Sequence, residues 1–273
     1  MKTEAWTQAV RHQLGLGRLL PLGGPGDGTW ITEQAAVRAL GRAASGIPGV
    51  RLGTLRIGSA PPEPEPEPVP EPEPDPVPES AVPPPPVPPP VSALPPGPLR
   101  IEAAFTAPLG QPLSETADRL RSTLLHAATE RLGLATVSAD LRVTDLHEGP
   151  DETGVESRTT ARHMRPAPEA AVARSSPLVT GTGSTQGLAG ELAGVATGVP
   201  GVARLTAVLG SRPVRTEDHD DPPGRHVEIQ FAVAAGHHPW VVARAVREAV
   251  GAAATTGTAG PVTVAVLITD TAA

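Results

Sequence analysis

The chain has 273 residues, a net charge of -7 and no cysteine. That charge excludes nucleic acid as the main partner, since such binding rests on clustered positive charge, and the missing thiols exclude disulfides, thiol catalysis and cysteine-based zinc sites. Aromatic residues make up only 2%, so any core is built from Ala, Val, Leu and Ile, each contributing about 1.5–3 kcal/mol or less when buried.

Residues 1–28 read as an N-terminal amphipathic arm. Trp6, Val10 and Leu14 recur at a spacing of four, which predicts a short helix over 3–16. Leu16, Leu19, Leu20 and Leu22 follow, then a glycine-rich turn from Gly23 to Gly28. One reading packs this arm onto its own domain. The sharper reading makes Trp6, Val10, Leu14, Leu19 and Leu20 a docking surface for a protein partner. The first twenty residues are too polar for a secretory signal, and no run approaches the ~18 apolar residues of a membrane helix. No direct membrane span is expected, and the expected location is the cytoplasm.

A first α+β unit is expected over 29–147. Thr32 is placed to cap a helix whose apolar stripe is Ala36, Leu40, Ala43 and Ala44. Gly46 is read as its left-handed stop and Pro48 as the barrier to continuation. A strand follows from Val50 to Ile57. The next strand alternates, with Leu99, Ile101, Ala103 and Phe105 on one side and Arg100, Glu102 and Thr106 on the other, as in an antiparallel sheet covered on one face. A helix from about Ser114 buries Ala117, Leu120, Leu124 and Ala128 and ends at Gly133. The closing strand turns Val137, Ala139, Leu141 and Val143 inward.

Between the first two strands lies an insert, 59–98, holding 20 of the chain's 35 prolines, first as Pro-Glu alternation and then as a neutral stretch around Val87. Proline removes ladder donors and like charges repel, so a disordered, extended segment is expected. A flexible linker, 148–176, leads to a second α+β unit over 177–273.

The two units match each other. Ile101–Thr129 aligns without a gap on Val227–Thr255 at an offset of 126, with eight identities in 29 positions, and Ala44–Val50 aligns on Ala196–Val202 at an offset of 152. The closing strands fall into phase at 125, which implies one residue deleted in the second helix–strand turn. The fold class is thus α+β: two pseudo-repeated (β)αββαβ units, each a small antiparallel or mixed sheet with helices on one face. The proline insert occupies the same hairpin position as Gly210–Arg225 of the second unit.

Three kinds of chemistry bear on these residues. Glu217, Asp218, His219, Asp220 and Asp221, with His226, His237 and His238, are the best metal or hydrolase candidates. Yet His226 and His237 bracket a strand, so at ~3.3 Å per residue they stand far apart. No serine sits in a nucleophile elbow. The expectation is no catalytic residue, no metal and no cofactor, with a metal-dependent hydrolase as the least favoured alternative. The neutral proline run offers a second alternative, a scaffold whose tract docks on a polyproline-recognising partner.

The helix opened by Ile31-Thr32, the Gly-Ile-Pro-Gly-Val and Gly-Val-Pro-Gly-Val turns at 46–50 and 198–202, and the strand–Gly–helix stretches 99–130 and 225–255 resemble the alkaline shock protein family of bacterial envelope stress proteins. The resemblance implies a small, non-enzymatic cytoplasmic α+β protein held peripherally at the inner face of the cell membrane by a small integral membrane protein. Duplication and the proline insert depart from that family's simple pattern. The surfaces expected to meet a partner, or another copy of the chain in a homo-oligomer, are the arm residues above and the helix start at Trp240.

Overall fold

A computed structural model describes residues 17–24, 26–61, 87–90, 92–148, 183–208, 210, 212–258 and 260–272. Trp6, Val10 and Leu14, the linker 148–176 beyond its first residue, and most of the proline–glutamate stretch lie outside the described residues.

The fold is α+β, as expected, built on two mixed sheets. In chain order the elements are β1 (Leu19–Pro21), β2 (Thr29–Thr32), α1 (Glu33–Ala44), β3 (Arg51–Ser59), β4 (Leu99–Pro108), α2 (Leu113–His126) continued by a π-helical turn (Ala127–Leu132), β5 (Thr136–His147), α3 (Gly183–Thr197), β6 (Val202–Leu205), β7 (Val214–Asp220), β8 (Pro223–Val233), α4 (Pro239–Ala254) and β9 (Val262–Thr271). The first half forms a three-stranded sheet in the order β3-β4-β5, and the second centres on β8, flanked by β9 on one side and by β6 and β7 on the other.

In both halves the middle strand runs antiparallel to the strand before it and parallel to the strand after the helix. The sheets are therefore mixed; alternation alone suggested antiparallel pairing because it reports a wet face and says nothing of strand direction. Ile101 pairs with Ala139 and Val227 with Val264, which reproduces the offsets of 126 and 125. Both parallel pairs slip by one residue just after the phenylalanine, between Phe105 and Thr106 and between Phe231 and Ala232. At each bulge a threonine hydroxyl, Thr144 or Thr269, donates to that phenylalanine's carbonyl, and the following Asp145 or Asp270 accepts the next backbone N–H.

Periodicity explains the core. Leu99, Ile101, Ala103 and Phe105, and the inward residues Val227, Ile229, Phe231 and Val233 of the matched strand, are all buried in one contiguous apolar cluster that contains residues of both halves. The Thr32 hydroxyl caps α1 by accepting from Ala35 N at 3.3 Å. Leu120, Leu124 and Ala128, and Val242, Ala243, Val246 and Val250, make the inward stripes of α2 and α4. Gly133 ends the first of these in the left-handed region, φ 80°.

Four expectations need correction. The left-handed glycine after α1 is Gly49 (φ 72°), not Gly46, and its counterpart after α3 is Gly201 (φ 94°), since the chain bends after the proline. Val137 is 62% exposed, because it is the extra residue where the β4–β5 register shifts between Leu99↔Thr136 and Arg100↔Ser138, and the buried Thr136 takes the inward position instead. The stretch expected as an acidic loop, 210–225, is largely the hairpin of β7 with β8, whose cross-strand pairs run from Val214↔Ile229 to Asp220↔Pro223. Finally, the boundary at residue 28 is not structural. The β1–β2 hairpin adds to the second half's sheet, where β2 lies parallel to β9 through Thr29↔Val266 and Ile31↔Ile268.

That hairpin also relocates the proposed arm residues. Leu19 and Leu20 are 1% and 0% exposed, so they are core residues of the chain and not a free docking surface. Trp240 is half-buried against the core cluster, with the Arg244 guanidinium 6.0 Å from its ring centre. A Cβ on Gly133 would come within 2.9 Å of the Trp240 Cβ, and one on Gly23 would overlap the indole nitrogen. Trp240 therefore fills a gap between the N-terminal hairpin and the first half, and is largely used inside the molecule.

Candidate functional site

The outer face of the six-stranded sheet is where the two unmatched loops of the halves meet. Period two sends Arg215 and Glu217 of β7, and His226, Glu228 and Gln230 of β8, away from the core. From β9, β2 and β1 the same face receives Ala265 and Leu267, Trp30 and Leu19. One end of the face is charged and the other apolar.

The apolar end is covered by the proline insert. Leu19 N–H donates to Ser92 O at 3.0 Å, and Leu94 N–H donates to Leu19 O at 2.8 Å, so the segment is stitched to β1 by its main chain. Val87 and Ala93 then pack on Leu19, Trp30, Ala265 and Leu267, which are 1%, 7%, 1% and 0% exposed. A Cβ at Gly28 (φ 59°) would stand 2.8 Å from Val87, so glycine is what lets the segment approach. This corrects the expectation of disorder across 59–98: residues 87–90 and 92–98 form a docked strap. Proline already fixes φ, so laying it down costs little conformational entropy, and the valine and alanine between the prolines supply the apolar contact.

Two recesses border the strap. One, of about 300 Å³, lies between Pro88–Pro90 and Ser92 on one wall and Arg215, Glu217, His226 and Glu228 on the other. The second, of about 360 Å³, lies between Val87, Pro89 and the 93–96 stretch and the β1–β2 hairpin around Gly28–Trp30.

The charged end is internally paired. Arg215 reaches Glu217 at 2.8 Å and Glu228 at 3.8 Å, and Gln230 donates to Glu228 at 3.0 Å. His226 Nδ1 lies 2.8 Å from Thr263 Oγ1, and burial pushes its pKa down, with Glu217 opposing and His219 and Arg215 adding to the shift. Asp218 faces the other way. Its carboxylate takes Arg225 Nε at 2.6 Å and Nη2 at 3.3 Å, and this pairing holds it below its usual range. Arg225 also donates to Ala254 O and Thr256 O, so it fastens the end of α4 to the sheet.

Of the acid and histidine run singled out in the sequence, Glu217 and His226 are cross-strand partners lining the recess. Asp218 belongs to the Arg225 bracket, His219 and Asp220 sit at the hairpin end, and His237 and His238 lie beyond the far end of β8. Among the described residues no group of three or more His, Asp or Glu is placed to share a metal ion. Sequence reasoning missed Trp30, Arg215 and Glu228. The signals were present: Trp30 stands on a strand, and Arg215 alternates with Glu217 on one face.

Comparison with protein-family models gives no match for this chain, and comparison with curated proteins gives none.

Proposed function

We propose that this chain is a non-enzymatic protein-binding module whose recognition surface is the outer face of the six-stranded sheet, with the proline strap held there in cis. The observation that carries the reading is the packing of Val87 and Ala93 on Leu19, Trp30, Ala265 and Leu267. An apolar strip around a tryptophan, bordered by paired charges, suits an extended protein segment, because main-chain contacts and apolar anchors supply affinity while the charged rim selects. Bare, an apolar strip of this kind is a recognised mark of interaction, and here the strap covers it. The reading takes its partner from the resemblance to envelope stress proteins: an integral membrane protein, with this chain in the cytoplasm and peripheral at the inner face of the membrane. No helix of the described residues is long and apolar enough to cross a membrane.

The test is photo-crosslinking in intact cells from a photoreactive residue placed at Glu228, inside the charged recess. The expected product is a crosslink to an integral membrane protein, weakened by Trp30→Asp. Crosslinks confined to the chain's own strap, with membrane recovery unchanged by Trp30→Asp, would refute the reading.

A further inference from the structure

The two parallel strand pairs end differently. The outer edge of β9 is occupied by β2, and Val266 N–H donates to Gly28 O at 2.8 Å. The matched strand β5 pairs with β4 alone, so among the described residues its outer edge, Thr136–His147, has no neighbour. Leu141 is the residue at Val266's position, by the offset of 125. Leu99 N–H donates to Ala135 O and the register shifts by one residue directly afterwards, which turns the main-chain groups of Ala139, Leu141 and Val143 away from β4. Arg121 Nε donates to Ala139 O on this edge at 3.2 Å; among the described residues Leu141 and Val143 beside it have no strand neighbour there, and such an unpaired edge is a template for another strand.

We propose that this edge is the homodimer interface: β5 pairs antiparallel with β5 of a second copy, about a twofold axis through Leu141. The occupant is identified by charge. An axis at Leu141 sets Asp140 opposite Arg142 of the second copy, and Arg142 opposite that copy's Asp140, giving two identical ion pairs. Both side chains stand on the exposed face of the strand, where the Asp140 carboxylate is 64% exposed. The phase of the ladder agrees with this placement. Leu141 meets its copy as a hydrogen-bonded pair, so the 140–142 pairs fall at the non-hydrogen-bonded positions, where side chains come closest. On the opposite face Ala139 meets Val143 of the second copy and continues the apolar layer under the sheet.

The edge also explains why no other register serves. A shift of one residue along the partner sets Asp140 against Leu141 or Val143 and brings the core-facing residues out of phase, and a shift of two sets Asp140 or Arg142 against its own copy. The neighbouring Arg100 lies 3.5 Å from Asp140 within the chain, and among the described residues no ion pair engages Arg142.

The experiment uses the full chain in sedimentation and light-scattering measurements across the micromolar range. The expected species has twice the 27.8 kDa mass. Asp140→Arg or Arg142→Asp sets like charges opposite each other twice, and each raises the dissociation constant roughly tenfold or more. The double variant Asp140→Arg/Arg142→Asp restores the pairing and brings affinity back to near that of the original chain. In the unaltered chain, the Leu141 and Val143 amides gain protection from hydrogen exchange as concentration rises. A monomer at every concentration, a dimer indifferent to both single reversals, or a double variant no better than the singles would each overturn the proposal.

Discussion

Replacing Arg225 by alanine tests how the second half is fastened together. The side chain is 8% exposed and donates four hydrogen bonds: to both Asp218 carboxylate oxygens, at 2.6 and 3.3 Å, and to Ala254 O and Thr256 O, at 2.8 and 3.1 Å. The ion pair contributes the smaller part, because the Asp218 side chain is 48% exposed and water screens it; about 1 kcal/mol or less is reasonable for such a pair. The carbonyls matter more. Those at the end of α4 lack intrahelical donors, and a buried acceptor left unmet costs about 1–3 kcal/mol. Arg225→Ala is therefore expected to lower stability by about 2–4 kcal/mol, read as a fall in the urea midpoint with the slope preserved. In a double-mutant cycle with Asp218→Asn, the coupling should be about 1 kcal/mol or less. A loss below about 1 kcal/mol, or a coupling equal to the whole loss, would refute the assignment of Arg225 as the bracket of α4.

Acidification should act through His226 and Asp218 in separate windows. Burial lowers the His226 pKa from 6.5, so the unfolded chain binds its proton more readily; the associated stability is complete above pH 6.5 and is lost as pH falls through the depressed folded value. His226→Gln should flatten the stability curve in that range, and an unchanged slope would count against the burial cause. Asp218 has the same sign, so its contribution is present above pH 3.8 and disappears below it. Gly201→Ala, at φ 94° with a Cβ 2.5 Å from Val242 Cγ2 and 2.8 Å from His237 Cδ2, should cost about 2–4 kcal/mol by thermal or urea unfolding. Gly190→Ala, in α3 with nothing within 4 Å, should instead stabilise by roughly 0.5–1 kcal/mol.

What could be read from the chain was whatever is local in sequence. The alternation of Leu99 to Phe105 and of Val227 to Val233 fixes which face is buried, and Thr32 announces a cap through its own hydroxyl. The twin bulges were also within reach, because Val143-Thr144-Asp145 and Ile268-Thr269-Asp270 repeat the same three-residue arrangement. Long-range choices were not. Nothing around Thr29–Thr32 says that it pairs with a strand more than 230 residues away, at Val266–Ile268. Arg225 occupies the position of Leu99 and looked like the solvated start of a strand; only the fold brings Asp218 and the end of α4 to it. The candidate site was half legible: composition marked both unmatched loops, but proline content argues for disorder, and Val87 and Ala93 are too few among the prolines to show a period of their own.

The position of the strap follows from a difference between the two sheet faces. The outer face of the three-stranded sheet carries Arg56, Arg100, Glu102, Asp140 and Arg142, with Arg100 paired to both Glu102 and Asp140. Such a face is content in water. The outer face of the six-stranded sheet carries Trp30, Ala265 and Leu267, because the added β1–β2 hairpin widens it with apolar residues, and bare it would invite association. The cover comes from the first half: the insert leaves from β3, and its return path to β4 runs along β1 before Leu99 begins the strand. A loop in one half thus serves the sheet of the other, and the second half's own hairpin, shortened to β7–β8, leaves the space it occupies. An insert was needed in only one copy because only one sheet has a face to hide, and anything that binds that face must first contend with the strap.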